Sequence, residues 1–226
     1  MKNAIILCSG GLDSVVAAHY VKKRMEYENI IILFFDYGQK SLDKERESSE
    51  KCASDVEASF VMMKLEELGK MSASLINAPG EVREMKREDL KDSKEESEKW
   101  YVPCRNQIFL SYALAIAESK FDKCSIFVGF KNEGAESYPD TTKAFVEDFN
   151  KLAKSCKGEF RVIAPLHDKD KEDIVSLGAE LDVELGKTWS CFVSNSDKQC
   201  GKCLACALRK EGFYWANVED TTEYDS

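Results

Sequence analysis

The stretch Ile5–Ser14, Ile-Ile-Leu-Cys-Ser-Gly-Gly-Leu-Asp-Ser, limits what this chain can fold into more than any other part of it. The apolar run Ala4–Leu7 reads as a buried strand that breaks at Ser9-Gly10-Gly11. A helical pattern then starts at about Leu12 and runs through Val15, Val16, Ala18 and Val21. Strand, glycine turn and helix N-terminus form an arrangement that binds phosphate. The glycines let the backbone approach the anion closely, and free N–H groups at the positive helix end face it. Ser9 and Ser14 add hydroxyl donors, and Asp13 could help hold a magnesium ion beside the phosphates. This is not a Walker loop. Gly186-Lys187-Thr188 resembles the end of one, but position 181 is Leu where a glycine is required.

The apolar run Ile30–Phe35 reads as a second strand, ending in Asp36-Tyr37-Gly38-Gln39, with a helix expected over about 43–55 and a third strand over Phe60–Leu65. Strands alternating with helices at this spacing predict an α/β fold with a parallel sheet covered on both faces. Ligands of such sheets bind outside the carboxyl ends of the strands, so the Ser9 loop and the segment Asp36–Gln39 should line one crevice. Residues 66–99 break the rhythm, and 81–99 are dense in Glu, Asp, Lys and Arg. That segment reads as a surface loop or exposed helix that substrate could order. Beyond Trp100 the pattern resumes: a helix over Ile108–Ala117, a strand over Ser125–Gly129, a helix from about Thr142 to Ser155, a strand over Arg161–Ala164 and a helix over Lys171–Leu181. With no internal repeat and no low-complexity linker, residues 1–226 read as one domain carrying a charged insertion at 66–99 and a cysteine-rich segment at 188–209.

The chain has 226 residues, of which 43% are hydrophobic and 32% charged, enough for one sizeable α/β core. A net charge of −9 argues against a broad nucleic-acid surface, and so against a tRNA-thiolating enzyme. No apolar run approaches the roughly 20 residues that span a bilayer, and with the first strand starting at once no signal peptide is expected. Nine cysteines in that context suggest the reducing cytosol, where clustered thiols hold metal more often than they form disulfides. A cytoplasmic protein is expected. Cys200, Cys203 and Cys206 recur every third residue on a turn that Gly201 allows, and Cys191 supplies a fourth ligand. Four sulfurs with no open position make a closed, structural zinc site, although iron–sulfur clusters use similar spacings. Cys8, Cys52, Cys124 and Cys156 read as core fillers.

Ser9-Gly10-Gly11-Leu12-Asp13-Ser14 resembles the SGGxDS signature of the PP-loop ATP pyrophosphatases, which cleave ATP between its α and β phosphates. Together with Tyr101-Val102-Pro103-Cys104-Arg105-Asn106, Tyr138-Pro139-Asp140, Thr188-Trp189-Ser190-Cys191 and the Cys200/Cys203/Cys206 set, the order of motifs is similar to that of the QueC family over nearly the whole chain. The resemblance implies an ATP-dependent carbon–nitrogen ligase that adenylates 7-carboxy-7-deazaguanine, forms the amide with ammonia and dehydrates it to the nitrile. It also implies a zinc-containing homodimer, with ATP and Mg2+ as further cofactors.

Candidate ATP contacts are then Ser9, Gly10, Gly11, Leu12, Asp13 and Ser14, with Phe35 and Gly129. Candidate substrate contacts are Tyr101, Pro103, Arg105, Asn106, Tyr138 and Asp140. Arg105 suits a phosphate or a carboxylate because its planar fork binds either. Lys171 resembles a family lysine near the phosphates; read from its position alone, it is an exposed lysine at a helix start. With Ser9, Asp13, Ser14 and Arg105 it completes the candidate catalytic set. The chain departs from the family where YVPGRN has become Tyr-Val-Pro-Cys104-Arg-Asn, and where a segment close to DYSGYPDCR has become Gly134-Ala135 through Thr141-Thr142. Those changes put the amine donor and the final product in question. A diverged member, of the kind found in anti-phage operons, would join the deazaguanine acid to an amine of a protein partner. An inactive nucleotide-binding module is a further alternative, against which the intact Ser9–Ser14 motif argues.

Overall fold

A computed structural model describes residues 2–131 and 138–225. The substituted positions Gly134 and Ala135 lie outside the described residues. Five parallel strands form one sheet in the order β3-β2-β1-β4-β5, confirming the α/β class. The elements run β1 Asn3–Leu7, α1 Leu12–Lys23, β2 Asn29–Asp36, α2 Leu42–Asp55, β3 Ser59–Lys64, α3 Glu66–Met71, α4 Lys94–Glu98, α5 Arg105–Lys120, β4 Lys123–Val128, α6 Lys143–Ala153, β5 Glu159–Ile163, α7 Lys171–Glu180 and α8 Leu204–Ala216. Ala4, Ile5 and Ile6 of β1 are wholly buried, and Ile30 to Phe35 of β2 are buried without a break. Continuous apolar runs of this kind mark parallel strands covered on both faces. Ile5, Leu33, Leu110 and Ile126 belong to one core, and Ile6, Ile32, Cys52 and Phe127 to the core on the opposite face.

The strand order reverses direction between β1 and β4, which pair in register from Ala4–Ser125 to Leu7–Val128. A crevice opens at the carboxyl ends of such a pair, and the Ser9 turn leaves β1 at that point. Residues 66–99 are more firmly packed than their composition implies. Leu68, Ile76, Met85 and Trp100 are buried in the same core as the sheet. The Leu75 N–H donates to the Lys99 carbonyl at 2.8 Å and the Met85 N–H to that of Lys202 at 2.9 Å. Isolated anchors far apart in sequence hold the segment, so it carries no local periodicity.

Candidate active site and metal centre

The loop after β1 is shaped by contacts that only glycine permits. Gly10 has φ +76°, and a Cβ there would lie 2.4 Å from the Glu45 carbonyl oxygen and 2.8 Å from Ser48 Cβ. The Gly10 carbonyl accepts from Ser48 Oγ at 2.7 Å and from the Trp189 N–H at 2.9 Å. Gly11 is the N-cap of α1 and has no side chain to fill the cap, so the first-turn N–H groups face outward. Ser14 Oγ donates to the Gly11 carbonyl at 3.0 Å and accepts the Ser9 N–H at 3.2 Å. The hydroxyl proton of Ser14 is therefore spent inside the loop, which it braces, and Ser9 is the more exposed of the two serines. Gly129, just beyond β4, gives the loop room from the other side. A Cβ on it would lie 2.8 Å from both Cα and N of Ser14.

Asp13 and Lys171 meet across this loop although they are far apart in the chain. Lys171 Nζ donates to both Asp13 carboxylate oxygens at 2.7 Å. The pair is mostly shielded, with the side chains 19% and 24% exposed respectively. Lys171 opens α7 behind its N-cap Asp170, whose N–H donates to Asp173 Oδ2 at 3.2 Å. Being at a helix start is thus compatible with reaching the phosphate loop.

A cavity of about 300 Å³ joins this loop to the far wall. Ser9, Gly11, Leu12, Asp13, Ser14, Phe35 and Gly129 line it together with Arg105, Asn106, Tyr138 and Lys171. Gly10, Tyr101, Pro103 and Asp140 do not. Gly10 is turned into the protein; Pro103 is exposed; Asp140 is buried and accepts the Asn106 N–H at 3.4 Å, near the start of α5. Arg105 Nη1 donates to Tyr37 Oη at 3.5 Å. Burial pushes the Tyr37 phenol up to about 12, so it stays a neutral partner for that guanidinium.

The sequence reading missed Glu45. Its carboxylate lines the cavity, accepting from Ser41 Oγ at 2.7 Å and Gln39 Nε2 at 3.1 Å. Burial raises its pKa, against the pull of those two donors. Its signal is weak because it is one acid among many on a charged helix.

The remaining wall is built by the cysteine-rich segment. Cys191, Cys200, Cys203 and Cys206 are all buried, with their Sγ atoms within 4.8 Å of one another. Cys200 and Cys206 Sγ lie 3.9 Å apart. A tetrahedral zinc with sulfurs at about 2.3 Å would set them about 3.8 Å apart, so the donor set fits that ion. Backbone N–H groups of Ser194 and Cys200 donate to Cys191 Sγ at 3.2 and 3.4 Å, as suits a thiolate carrying charge. Gln199 Oε1 accepts the Ser190 and Cys191 N–H groups at 3.1 Å, and Trp189 and Ser190 line the cavity.

Comparison with known proteins agrees with this geometry. A family model described as "Queuosine biosynthesis protein QueC" matches residues 3–217. The chain belongs to the QueC family. A relative from Methanothrix thermoacetophila, "7-cyano-7-deazaguanine synthase", is 37% identical over 228 residues, covering 99% of each chain. A protein of the same name from Methanocaldococcus jannaschii is 36% identical and covers 98% of each chain. Another from Sulfolobus acidocaldarius is 34% identical over the whole of this chain but only 48% of its own. Among solved structures, an NMN synthetase from Francisella tularensis aligns with a TM-score of 0.42 at 16% identity, covering 96% of this chain and 84% of that one. The sheet order carries the fold without that likeness. Cys104, where the resemblance implied a glycine, has a φ of 56°, the left-handed conformation that favours glycine.

Proposed function

We propose that this protein is an ATP-dependent carbon–nitrogen ligase acting on 7-carboxy-7-deazaguanine, a reading supported by relatives named 7-cyano-7-deazaguanine synthase. The observation that carries the reading is one cavity lined by both the Ser9–Ser14 loop with Lys171 and, facing it, Arg105 with Asn106 and Tyr138. A carboxylate is a poor electrophile at neutral pH and must be activated. Its oxygen attacks the α-phosphorus of ATP, forming an O–P bond as the bond to pyrophosphate breaks. The departing charge is met by the outward N–H groups of α1, by Ser9 Oγ and by Lys171. Arg105 would hold the substrate carboxylate in place with its planar fork. Ammonia then attacks the acyl carbon, sheds a proton, and AMP leaves with the electron pair to give the amide. The amide oxygen attacks the α-phosphorus of a second ATP as pyrophosphate leaves. The adenylated amide loses both N–H protons while its C–O bond breaks with AMP as leaving group, giving the nitrile.

Magnesium brought in with ATP would neutralise phosphate charge. Asp13 is a carboxylate on the loop that could share it, since each oxygen engaged by Lys171 keeps a further lone pair. The zinc would be structural, holding the 188–206 wall.

The test is mass spectrometry of the purified protein with ATP, Mg2+, 7-carboxy-7-deazaguanine and ammonium. AMP, pyrophosphate and the nitrile are expected. Absence of AMP with this acid would overturn the proposal. AMP accompanied only by adenylate or amide would keep the activation step and redirect the search to another amine, including one borne by a protein partner.

A further inference from the structure

Gly212 lies on the side of α8 that meets α7, directly against the stem of Lys171. A Cβ on Gly212 would fall 2.3 Å from Lys171 Cγ, 3.2 Å from its Cβ and 3.4 Å from its backbone carbon. The collision is at the root of the side chain, which cannot flex away while Nζ remains bound to both oxygens of Asp13. A change of the first side-chain torsion would relieve it, and would swing the ammonium off the carboxylate. The helix bearing this notch begins at Cys203, its N-cap, and carries Cys206 in its first turn. Where the notch sits relative to Lys171 is therefore set by the four-cysteine knot.

We propose that Gly212 is a positioning residue: the bare patch it leaves on α8 seats Lys171 over Asp13, and it passes the placement of the metal knot to the phosphate site. The inference rests on the reading of Lys171 as part of the ATP site. Its test is chosen to work without ATP. In metal-loaded, full-length protein, the reactivity of the Lys171 amine toward reductive methylation is read by peptide mass spectrometry, with Asp13→Ala giving the rate of a released lysine.

Gly212→Ala is expected to be methylated as fast as Asp13→Ala, about tenfold faster than wild type, with its metal content unchanged. Protection equal to wild type in Gly212→Ala would overturn the proposal. Should Gly212→Ala fail to fold, the double variant Lys171→Ala/Gly212→Ala removes the colliding Cγ and is expected to fold and hold metal. Its failure to do so would place the clash elsewhere and overturn the proposal too. In pyrophosphate release, Gly212→Ala should lose about 100-fold, the scale of an ångström's misplacement, and add no loss to Lys171→Ala. Losses that multiply would mean that Gly212 acts independently of the lysine. A wild-type protein inactive on the proposed acid would remove the proposed function and leave the labelling result standing.

Discussion

The backbone N–H of Trp189 donates to the carbonyl of Gly10 at 2.9 Å, bonding the cysteine-rich segment to the glycine turn after β1. Ser190 is held next to it by Gln199, whose side chain also receives Cys191. The cysteine knot therefore supports one wall of the cavity without lining it. Cys203→Ser should lose its metal and bind ATP roughly 10- to 100-fold more weakly, the range seen when groups supporting a site are removed. Metal analysis and calorimetric titration with ATP check this, and unchanged ATP affinity in metal-free protein would refute it.

Gly129 makes the opposite wall possible. Its Cα faces backbone atoms of Ser14, which cannot yield as a side chain can. Gly129→Ala should push back the first turn of α1, lowering stability by about 1–3 kcal/mol and ATP binding with it. Urea unfolding and ATP titration measure the two effects. Full retention of both would show that the loop tolerates the shift.

The central strands were readable because parallel strands buried on both faces leave continuous apolar runs, and the partly exposed edge strands β3 and β5 because they still carry short apolar runs. The expected strands at 30–35, 60–65, 125–129 and 161–164 lie within two residues of Asn29–Asp36, Ser59–Lys64, Lys123–Val128 and Glu159–Ile163. The turn after β1 was readable because its shape depends on glycines next to one another. The helix α2 was also expected, over about 43–55, but not which of its faces packs inward. Its buried face is Glu45, Ser48, Ser49, Cys52 and Ala53, a helical period written largely in polar residues that hydrophobicity does not reveal. The Asp13–Lys171 contact spans 158 positions, so only topology brings it together. Tyr101, Pro103 and Asp140 travelled with their motifs as candidate substrate contacts, but a motif gives neighbours in sequence and not which side chain faces the cavity.

Arg209 ties the C-terminal tail to the cavity wall while almost wholly buried. It is 1% exposed and donates to Thr188 Oγ1 at 2.7 Å, Ser190 Oγ at 3.1 Å, the Leu185 carbonyl at 2.6 Å and Thr222 Oγ1 at 2.8 Å. Arg209→Met keeps much of the volume but removes the guanidinium donors to those oxygens and the charge partner of Asp220. A loss of roughly 3–5 kcal/mol is expected, the cost of removing one member of a buried charged network. Denaturant unfolding gives the number. A loss below about 1 kcal/mol would mean that the network contributes little.

His19 sets an acid limit on the fold. It is 4% exposed, and neither ring nitrogen has a hydrogen-bond partner. Burial lowers its pKa from the ordinary 6.5, with Lys23 and Lys51 adding to the effect and Asp55 opposing it. Above that ordinary value both folded and unfolded chains carry the neutral ring, and the residue makes no difference to stability. As pH falls through 6.5 the unfolded chain takes up a proton that the folded chain refuses, so stability declines until the depressed folded pKa is reached. The slope from one such group is at most about 1.4 kcal/mol per pH unit. His19→Leu should remove that part of the decline while the carboxylates contribute equally to both proteins. Thermal unfolding of the two from pH 7.5 to 5 gives the difference directly. Parallel curves would show that His19 is protonated within the fold.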